Sequence, residues 1–257
     1  MIYQTIQYFK FLIQATNQHG VHSPFIYNLV TKCFYNKSQY ADYKTLSEYR
    51  KKLSSNKNKI LVTDFGAGSR VFKSENRVVS KIAKTAGTTK KRAKLLYRLN
   101  HYFQSKKTLE LGTSLGIATA ALSLGNPNGK VQTIEGCPET AKIAQQQFDY
   151  FNLKNIELKT NEFNSELAAL NNQEFDLIYI DGNHQKEATL KYFEKLLAHT
   201  HNDSLVIFDD IHWSKKMQEA WQQIKMHPKV TVTIDSFYWG FVFFRKEQEK
   251  QHFTIRL

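Results

Sequence analysis

The apolar positions divide the chain into two parts with different periodicities. Up to about residue 105 they recur every three or four residues, as in Ile2, Ile6, Phe9 and Ile13 of "IYQTIQYFKFLIQA". That spacing gives an amphipathic helix one apolar stripe. Further helices are predicted in "SPFIYNLVTKCFY", which opens with a capping serine and a proline, and in "NRVVSKIAK" and "AKLLYRLNHYF".

After residue 105, short apolar runs of strand length alternate with helical segments. The runs are "TLELG", "KVQTIEG", "NIELKT", "FDLIYIDG", "SLVIFDD", "KVTVTIDSF" and "GFVFFRK". Helical segments separate the first five runs, which is typical of parallel strands joined by crossover helices, whereas the last two runs follow each other closely, as in an antiparallel hairpin. We therefore predict an α/β fold with a Rossmann-like, seven-stranded, doubly wound sheet and an antiparallel C-terminal hairpin. A basic helical cap (1–105) would precede the sheet domain (106–257).

Charge, like the spacing of apolar residues, differs between the two parts of the chain. The net charge is +13, yet residues 1–105 hold 19 Lys or Arg against 4 Asp or Glu, and the rest of the chain holds 17 against 19. A one-sided basic surface attracts nucleic acid, anionic small molecules or membrane phosphates. The alternative interpretation is that "RKKLSSNKNK" and "KKRAK" are ordinary solvated faces.

Other features narrow the class of protein. No apolar run approaches the roughly 18 residues that a bilayer span needs, and the N-terminus does not resemble a secretory signal, so we expect a cytoplasmic protein that does not act at a membrane. Cys33 and Cys137 lie far apart and outside any zinc-binding spacing. Both are expected to be reduced thiols.

Two stretches resemble the strand-to-helix turn that receives a nucleotide-like cofactor: "TDFGAGSR" (63–70) and "LELGTSLGIATA" (109–120). Such a turn should be followed, one helix later, by a second strand that ends in an acid able to accept hydrogen bonds from ribose. The second stretch meets this condition, because Glu135 ends "KVQTIEG" 23 residues after Gly112. The first stretch is followed by no evident strand. We therefore assign the cofactor to the second stretch and interpret the first as a loop of the cap, either a structural turn or a substrate-facing loop.

Four motifs in this order resemble the class I S-adenosylmethionine-dependent methyltransferases: "LELGTSLGIATAALS", "VQTIEGCPETAKIAQQQF", "EFDLIYIDGNHQK" and "SLVIFDDIHWS". The likeness covers about residues 106–245. Within that class the chain is most similar to the metal-dependent O-methyltransferase branch, which includes catechol, caffeoyl-CoA and macrolide-sugar (macrocin-like) methyltransferases.

The resemblance implies a set of cofactor contacts. Glu110, Gly112 and Gly116 match the glycine turn, Glu135 would bind the ribose hydroxyls, and Glu162 or Phe163 would border the adenine, although Phe163 could equally belong to the core. The full implied set is Glu110, Gly112, Thr113, Ser114, Gly116, Glu135, Glu162, Phe163 and Asp181.

The same resemblance implies residues for the chemistry. Asp181, Asp209 and Asp210 match the positions that hold one divalent cation, Mg²⁺ for example, although the third position is Asn in the family. His184 matches the position of the family's catalytic lysine and, with Asp181, is the candidate base; the alternative is that His184 caps a helix or lines the pocket. His212 and Trp213 are candidates for the acceptor pocket. In the loop 63–70, glycine backbone N–H groups and Arg70 are suited to binding an anion.

Three functions remain open at this stage. The first is methylation of an oxygen, or else a nitrogen, of a small or medium-sized acceptor, expected to be anionic. The second is methylation of ribosomal or transfer RNA gripped by the basic cap and its interleaved tyrosines, Tyr40, Tyr43, Tyr49, Tyr97 and Tyr102. The third is a cofactor-binding protein without transfer activity. A homodimer is compatible with each of them.

Overall fold

The computed structural model describes residues 2–63, 65, 72 and 74–257. Its α-helices are α1 (Ile2–Gln14), α2 (Pro24–Leu29), α3 (Asp42–Ser55), α4 (Val79–Thr85), α5 (Lys90–Phe103), α6 (Ile117–Gly125), α7 (Pro138–Tyr150), α8 (Phe163–Ala169), α9 (Lys186–Leu196) and α10 (Lys215–Met226). Its strands are β1 (Lys59–Leu61), β2 (Asn76–Val78), β3 (Lys107–Leu111), β4 (Lys130–Glu135), β5 (Ile156–Thr160), β6 (Leu177–Ile180), β7 (Leu205–Asp209), β8 (Val232–Asp235), β9 (Trp239–Phe243) and β10 (Gln251–Thr254). None of the described helices is long and apolar enough to cross a bilayer.

The main sheet confirms the predicted α/β architecture. Its strand order is β10-β8-β9-β7-β6-β3-β4-β5. Strand β4 pairs in parallel with β3 and β5, and β6 pairs in parallel with β7. Strand β9 is antiparallel to both β7 and β8, which gives the predicted C-terminal hairpin.

The sheet has eight strands rather than the predicted seven. The additional strand, β10, pairs in parallel with β8 at the edge of the sheet. Its sequence, "QHFT", contains one strongly apolar residue in four positions, so it gives no clear strand signal. Backbone pairing with a preformed neighbour, rather than an apolar run, accounts for this strand.

The chain forms two compact units, one of which is inserted into the sequence of the other. One unit comprises the residues up to 36 together with 170–257, and the other comprises 37–169. Within the second unit, α5 and α3 both pack against α6, the helix that follows the predicted cofactor turn. The boundary predicted at residue 105 stays a prediction.

The N-terminal helices form largely where the periodicity predicts them. Helix α1 spans Ile2–Gln14, and α2 begins at Pro24, with Ser23 accepting a hydrogen bond from the N–H of Ile26. The predicted apolar stripe of α1 is wrong in one respect, because Ile6, Phe9 and Ile13 are exposed. The buried ring is Phe11, which packs with Tyr8 and Phe237 at ring-centroid distances of 6.2 and 5.6 Å.

The expectation that no strand follows "TDFGAGSR" is wrong, because β2 lies shortly after it. Strands β1 and β2 pair in an antiparallel arrangement on either side of this segment, with Ile60 opposite Arg77. The predicted helix "NRVVSKIAK" is therefore strand for Asn76–Val78 and helix only from Val79. Three residues are too few to show a strand period in the sequence.

Candidate active site

The turn between β3 and α6 has the backbone geometry of a tight ligand-binding loop. Gly112 has φ +105° and Gly116 has φ +76°, a region that residues with a Cβ rarely adopt. Ser114, between them, also has a positive φ of +49°. A Cβ on Gly116 would lie 2.5 Å from the Phe148 ring and 2.6 Å from the Tyr49 hydroxyl. Both glycines predicted for the turn are therefore required by its conformation.

Glu110 is a fully buried carboxylate beside this turn. Its Oε2 accepts hydrogen bonds from the hydroxyls of Thr119 and Thr133, at 2.5 and 2.6 Å, whereas its buried Oε1 has no hydrogen-bond partner among the described residues. Burial raises the pKa of the Glu110 carboxyl to about 7, although the two hydroxyl donors act in the opposite direction. A buried acceptor without a donor is costly unless a ligand supplies one. The free oxygen of Glu110 therefore fits a positively charged donor such as an ammonium group.

Thr113 joins this network through its side chain. Its hydroxyl lies 2.6 Å from that of Thr133, which in turn donates to Glu110. Thr113 is buried, so its side chain fixes the turn from within. Its backbone is also engaged, because its N–H donates to the Ile134 carbonyl at 3.3 Å and its carbonyl accepts from the Gly116 N–H at 2.8 Å, so its predicted cofactor contact stays a prediction.

Glu135 ends β4 and binds the same turn. Its carboxylate accepts hydrogen bonds from the backbone N–H groups of Ser114, at 2.7 Å, and Cys137, at 2.9 Å. Burial raises the pKa of Glu135, and hydrogen bonds from Cys137, Ser114, Thr140 and Gly136 partly oppose the rise. Glu135 is thus held in place beside the turn, and its predicted contact with the ribose hydroxyls stays a prediction.

Glu162 and Phe163 lie where β5 passes into α8. Glu162 is exposed, its N–H donates to the Asn161 side chain, and its carbonyl accepts from Ser165 and Glu166 at the start of the helix. Phe163 is half-buried, so it is not simply a core residue. Its predicted contact with adenine stays a prediction.

In the other compact unit, Asp181, His184 and Trp213 lie together. His184 Nε2 is 3.9 Å from Asp181 Oδ1, and the other oxygen of Asp181 accepts a 3.0 Å hydrogen bond from the Tyr179 hydroxyl. The imidazole lies 6.2 Å, centroid to centroid, from the Trp213 indole. His184 is partly exposed, with 25% of its side chain accessible. An accessible imidazole beside a carboxylate can accept a proton from an acceptor hydroxyl.

The expected convergence of three carboxylates on one cation is not present in this geometry. Asp209 ends β7 and is buried, and Asp210 follows with a positive φ of +53°. Among the described residues, no group of three or more His, Cys, Asp or Glu side chains could hold a metal ion. The positions are at the predicted strand ends, but their side chains do not form a metal-binding group as they stand.

His212 belongs to a different set of contacts from His184. Its Nε2 lies 2.8 Å from Asp235 Oδ2, and its ring stacks on Phe237 with centroids 5.1 Å apart. Its buried Nδ1 has no hydrogen-bond partner within the described part of the chain. Sequence reasoning did not identify Asp235 as its partner, since the two residues are 23 positions apart. Assignment of His212 to the acceptor pocket stays a prediction.

Arg70 and most of the "DFGAGSR" loop lie outside the described residues. Phe65 is described, and its ring packs on Gly136, the residue after Glu135.

The interleaved tyrosines proposed as base-stacking groups all lie within the described residues. Tyr43, Tyr49 and Tyr97 are buried, so they belong to the core rather than to an RNA-binding surface.

Sequence reasoning also missed the residues that support the cofactor turn. The Tyr49 hydroxyl donates to the carbonyl of Leu115 at 3.0 Å, and the Tyr49 ring packs on Phe151 at a centroid distance of 5.2 Å. Thr119 and Thr133 hold Glu110. Buried threonines in "IATAALS" and "VQTIE" are polar positions inside apolar elements, and that signal was present in the sequence.

Both cysteines, Cys33 and Cys137, are buried and neither forms a disulfide, as predicted.

Comparison with known proteins identifies the central part of the chain. Residues 109–211 match the family model described as a methyltransferase domain. No curated protein matches the chain.

Solved structures share the fold at low identity. A methyltransferase from Podospora anserina, solved bound to SAH, is 13% identical with a TM-score of 0.64, over 88% of this chain and 97% of that one. An O-methyltransferase from Bacillus cereus in complex with SAH is 18% identical with a TM-score of 0.54, over 82% and 94%. The O-methyltransferase TomG from Streptomyces achromogenes, involved in tomaymycin synthesis and solved with SAM, is 14% identical with a TM-score of 0.56, over 90% and 99%. The match therefore assigns residues 109–211 to a methyltransferase domain, and the fold that carries them is shared with these solved methyltransferases.

Proposed function

We propose that the chain transfers a methyl group from S-adenosylmethionine to an oxygen of a small or medium-sized acceptor. The observation that carries the proposal is the buried Glu110 Oε1, which lacks a donor beside a glycine turn tied to Glu135. The amino acid part of the cofactor carries the ammonium group that this oxygen fits, and its ribose carries the hydroxyls that Glu135 would accept from. The O-methyltransferases among the structural neighbours support oxygen as the acceptor atom.

The residues of this chain would bind the cofactor, orient the acceptor and remove the proton of the acceptor hydroxyl. The sulfonium supplies an activated methyl group, so the protein mainly has to align the acceptor and remove its proton. His184 would take that proton from the acceptor hydroxyl. Asp181, 3.9 Å away and itself held by Tyr179, would stabilise the imidazolium that results.

A divalent metal is the further element that the resemblance implies, with Asp181, Asp209 and Asp210 as ligands. Because the described side chains do not form a metal-binding group, the proposed proton transfer uses no metal. Treatment with a chelator separates the two routes. Full activity in the presence of chelator supports His184 as the base. A loss of activity that Mg²⁺ or Mn²⁺ restores would instead support a metal ion that the three carboxylates hold and that binds the acceptor oxygen.

We also propose that the acceptor is anionic, on the basis of the basic excess in residues 1–105. Arg70 is the predicted contact. Arg70→Ala should raise the Michaelis constant for the acceptor and leave cofactor affinity unchanged. RNA is the less favoured acceptor, because three of the five candidate stacking tyrosines are buried.

Isothermal calorimetry with SAH tests the cofactor site. The wild-type protein should bind SAH and not NAD, and Glu135→Ala should weaken binding by at least about tenfold, as expected when hydrogen bonds to a charged group are lost. Glu157→Gln is the matched control, because Glu157 is on the neighbouring strand β5 and its partly exposed carboxylate pairs with Lys130. Binding of NAD in place of SAH would contradict the proposal.

A further inference from the structure

Phe65 lies against the strand end that carries the proposed ribose acceptor. A Cβ built on Gly136 would lie 2.8 Å from Phe65 Cδ2 and 3.0 Å from Cε2, so the ring rests directly on this glycine. Gly136 immediately follows Glu135. Phe65 is nevertheless 51% exposed, so a large part of its surface is open next to the residue that follows Glu135.

The strand that leads to Phe65 is anchored to the same region. The Cys137 thiol lies 3.6 Å from the carbonyl of Leu61, the last residue of β1. The N–H of Val62 donates to the carbonyl of Glu75, which closes the β1–β2 pair just before Phe65. The strand that precedes Phe65 is therefore held beside Cys137, the residue that follows Gly136.

We propose that Phe65 contacts the nucleoside part of the cofactor, adding an aromatic surface beside Glu135. The inference rests on the proposed function, since it requires a nucleoside at this strand end. A purine has a flat apolar face, and stacking on an exposed aromatic ring is a common way to bind it. The absence of a side chain on Gly136 leaves room for the ring next to the carboxylate that would hold the ribose. The first stretch of the sequence that resembled a cofactor turn would then contribute an aromatic residue to the cofactor site.

Calorimetric titration of the full chain with SAH and with adenosine tests this role. Phe65→Ala should weaken both ligands by a similar factor of about tenfold, because both contain the purine. Phe65→Trp should retain the affinity and, with its indole beside the ligand, change its fluorescence when SAH binds. Glu110→Gln should weaken SAH and leave adenosine unchanged, since adenosine lacks the ammonium group.

Tyr150→Ala is the matched control. Tyr150 is an exposed aromatic residue at the opposite end of α7, where Lys52 lies over its ring. Equal SAH affinity in Phe65→Ala and Tyr150→Ala, with Glu135→Ala still impaired, would overturn the role of Phe65 and leave the proposed function intact. Absence of SAH binding in the wild-type protein would instead overturn the proposed function. Thermal unfolding of each variant shows whether a loss of binding comes from a loss of folding.

Discussion

At the scale of single residues, Glu110 is the position where structure and proposed chemistry meet most directly. A glutamate with no exposed surface normally requires a partner for each oxygen, yet two hydroxyls serve only Oε2. Burial outweighs these donors and raises the pKa of the carboxyl from 4.5 to about 7. The side chain therefore changes charge close to neutral pH. Both the free energy of unfolding and the affinity for SAH should depend on pH as a result.

We predict that Glu110 lowers stability as the pH rises from about 4.5 to 7. In this window the folded chain retains a proton that the unfolded chain has lost, so the free energy of unfolding falls, by up to about 3 kcal/mol, and then levels off above the folded pKa. Glu110→Gln should remove this part of the pH dependence. Urea denaturation of both proteins at several pH values measures it, and identical slopes would contradict the raised pKa.

We also predict that SAH binding by the wild-type protein strengthens as the pH rises toward 7. The ligand ammonium favours ionised Glu110, so below the pKa binding must release a proton, which weakens affinity by up to about tenfold per pH unit. Calorimetry in buffers of different ionisation enthalpy detects the released proton. Glu110→Gln should bind more weakly and release no proton, and proton release that persists in this variant would place the titrating group elsewhere.

At the scale of elements, the predicted cofactor turn is supported by a helix that lies far from it in the sequence. Helix α3 brings Tyr49 to the turn 66 residues later, where its hydroxyl donates to Leu115 and its ring lies near Phe148. Burial raises the pKa of Tyr49 well above its usual value, and the nearby Glu110 acts in the same direction, so the hydroxyl stays a donor. The turn is thus supported by α3, α6 and α7 together.

We predict that Tyr49→Phe destabilises the protein by about 1–2 kcal/mol, because a buried carbonyl loses its donor while the packing of the ring is kept. Urea denaturation measures the change. Tyr150→Phe, at an exposed tyrosine, should have no comparable effect. An equal loss in both variants would show that the Leu115 bond contributes nothing specific.

At the scale of the whole molecule, the uneven charge is the property that most affects the choice of acceptor. The basic excess lies in residues 1–105, and three tyrosines in that region are buried. A protein that binds RNA through many phosphates loses affinity steeply with salt, with a log-log slope of about −0.7 per contact on a single strand. A small anion engages few cations and gives a shallow slope.

We predict that label from radioactive S-adenosylmethionine enters a small-molecule extract of the host and not its total RNA. Three of the five tyrosines proposed to stack on bases are buried, which removes most of that proposed stacking set. Parallel incubations with both fractions, at low and high salt, measure this. Methylation of RNA that falls steeply as the salt concentration rises would contradict the small-molecule acceptor and favour RNA.

The sequence alone determined the parts of this protein that depend on local pattern. Alternation of apolar runs and helices predicted the seven strands β3–β9 and the hairpin. This was possible because the burial of a strand and the amphipathicity of a helix both depend on residues close together in the sequence. Spacing alone selected "LELGTSLG" over "TDFGAGSR", and the family match begins within that stretch. The glycines of that turn have the positive φ values that their residue type permits.

Only the tertiary structure decided what depends on residues distant in sequence. Burial of Glu110 with one oxygen unpaired, support of the turn by Tyr49, and packing of Phe65 on Gly136 each join segments that lie apart in the chain. The short strands β1, β2 and β10 form through backbone pairing, which leaves little trace in side-chain periodicity. Strand position likewise brings Asp181, Asp209 and Asp210 to the predicted ends, yet no metal-binding group of three or more such side chains forms among the described residues.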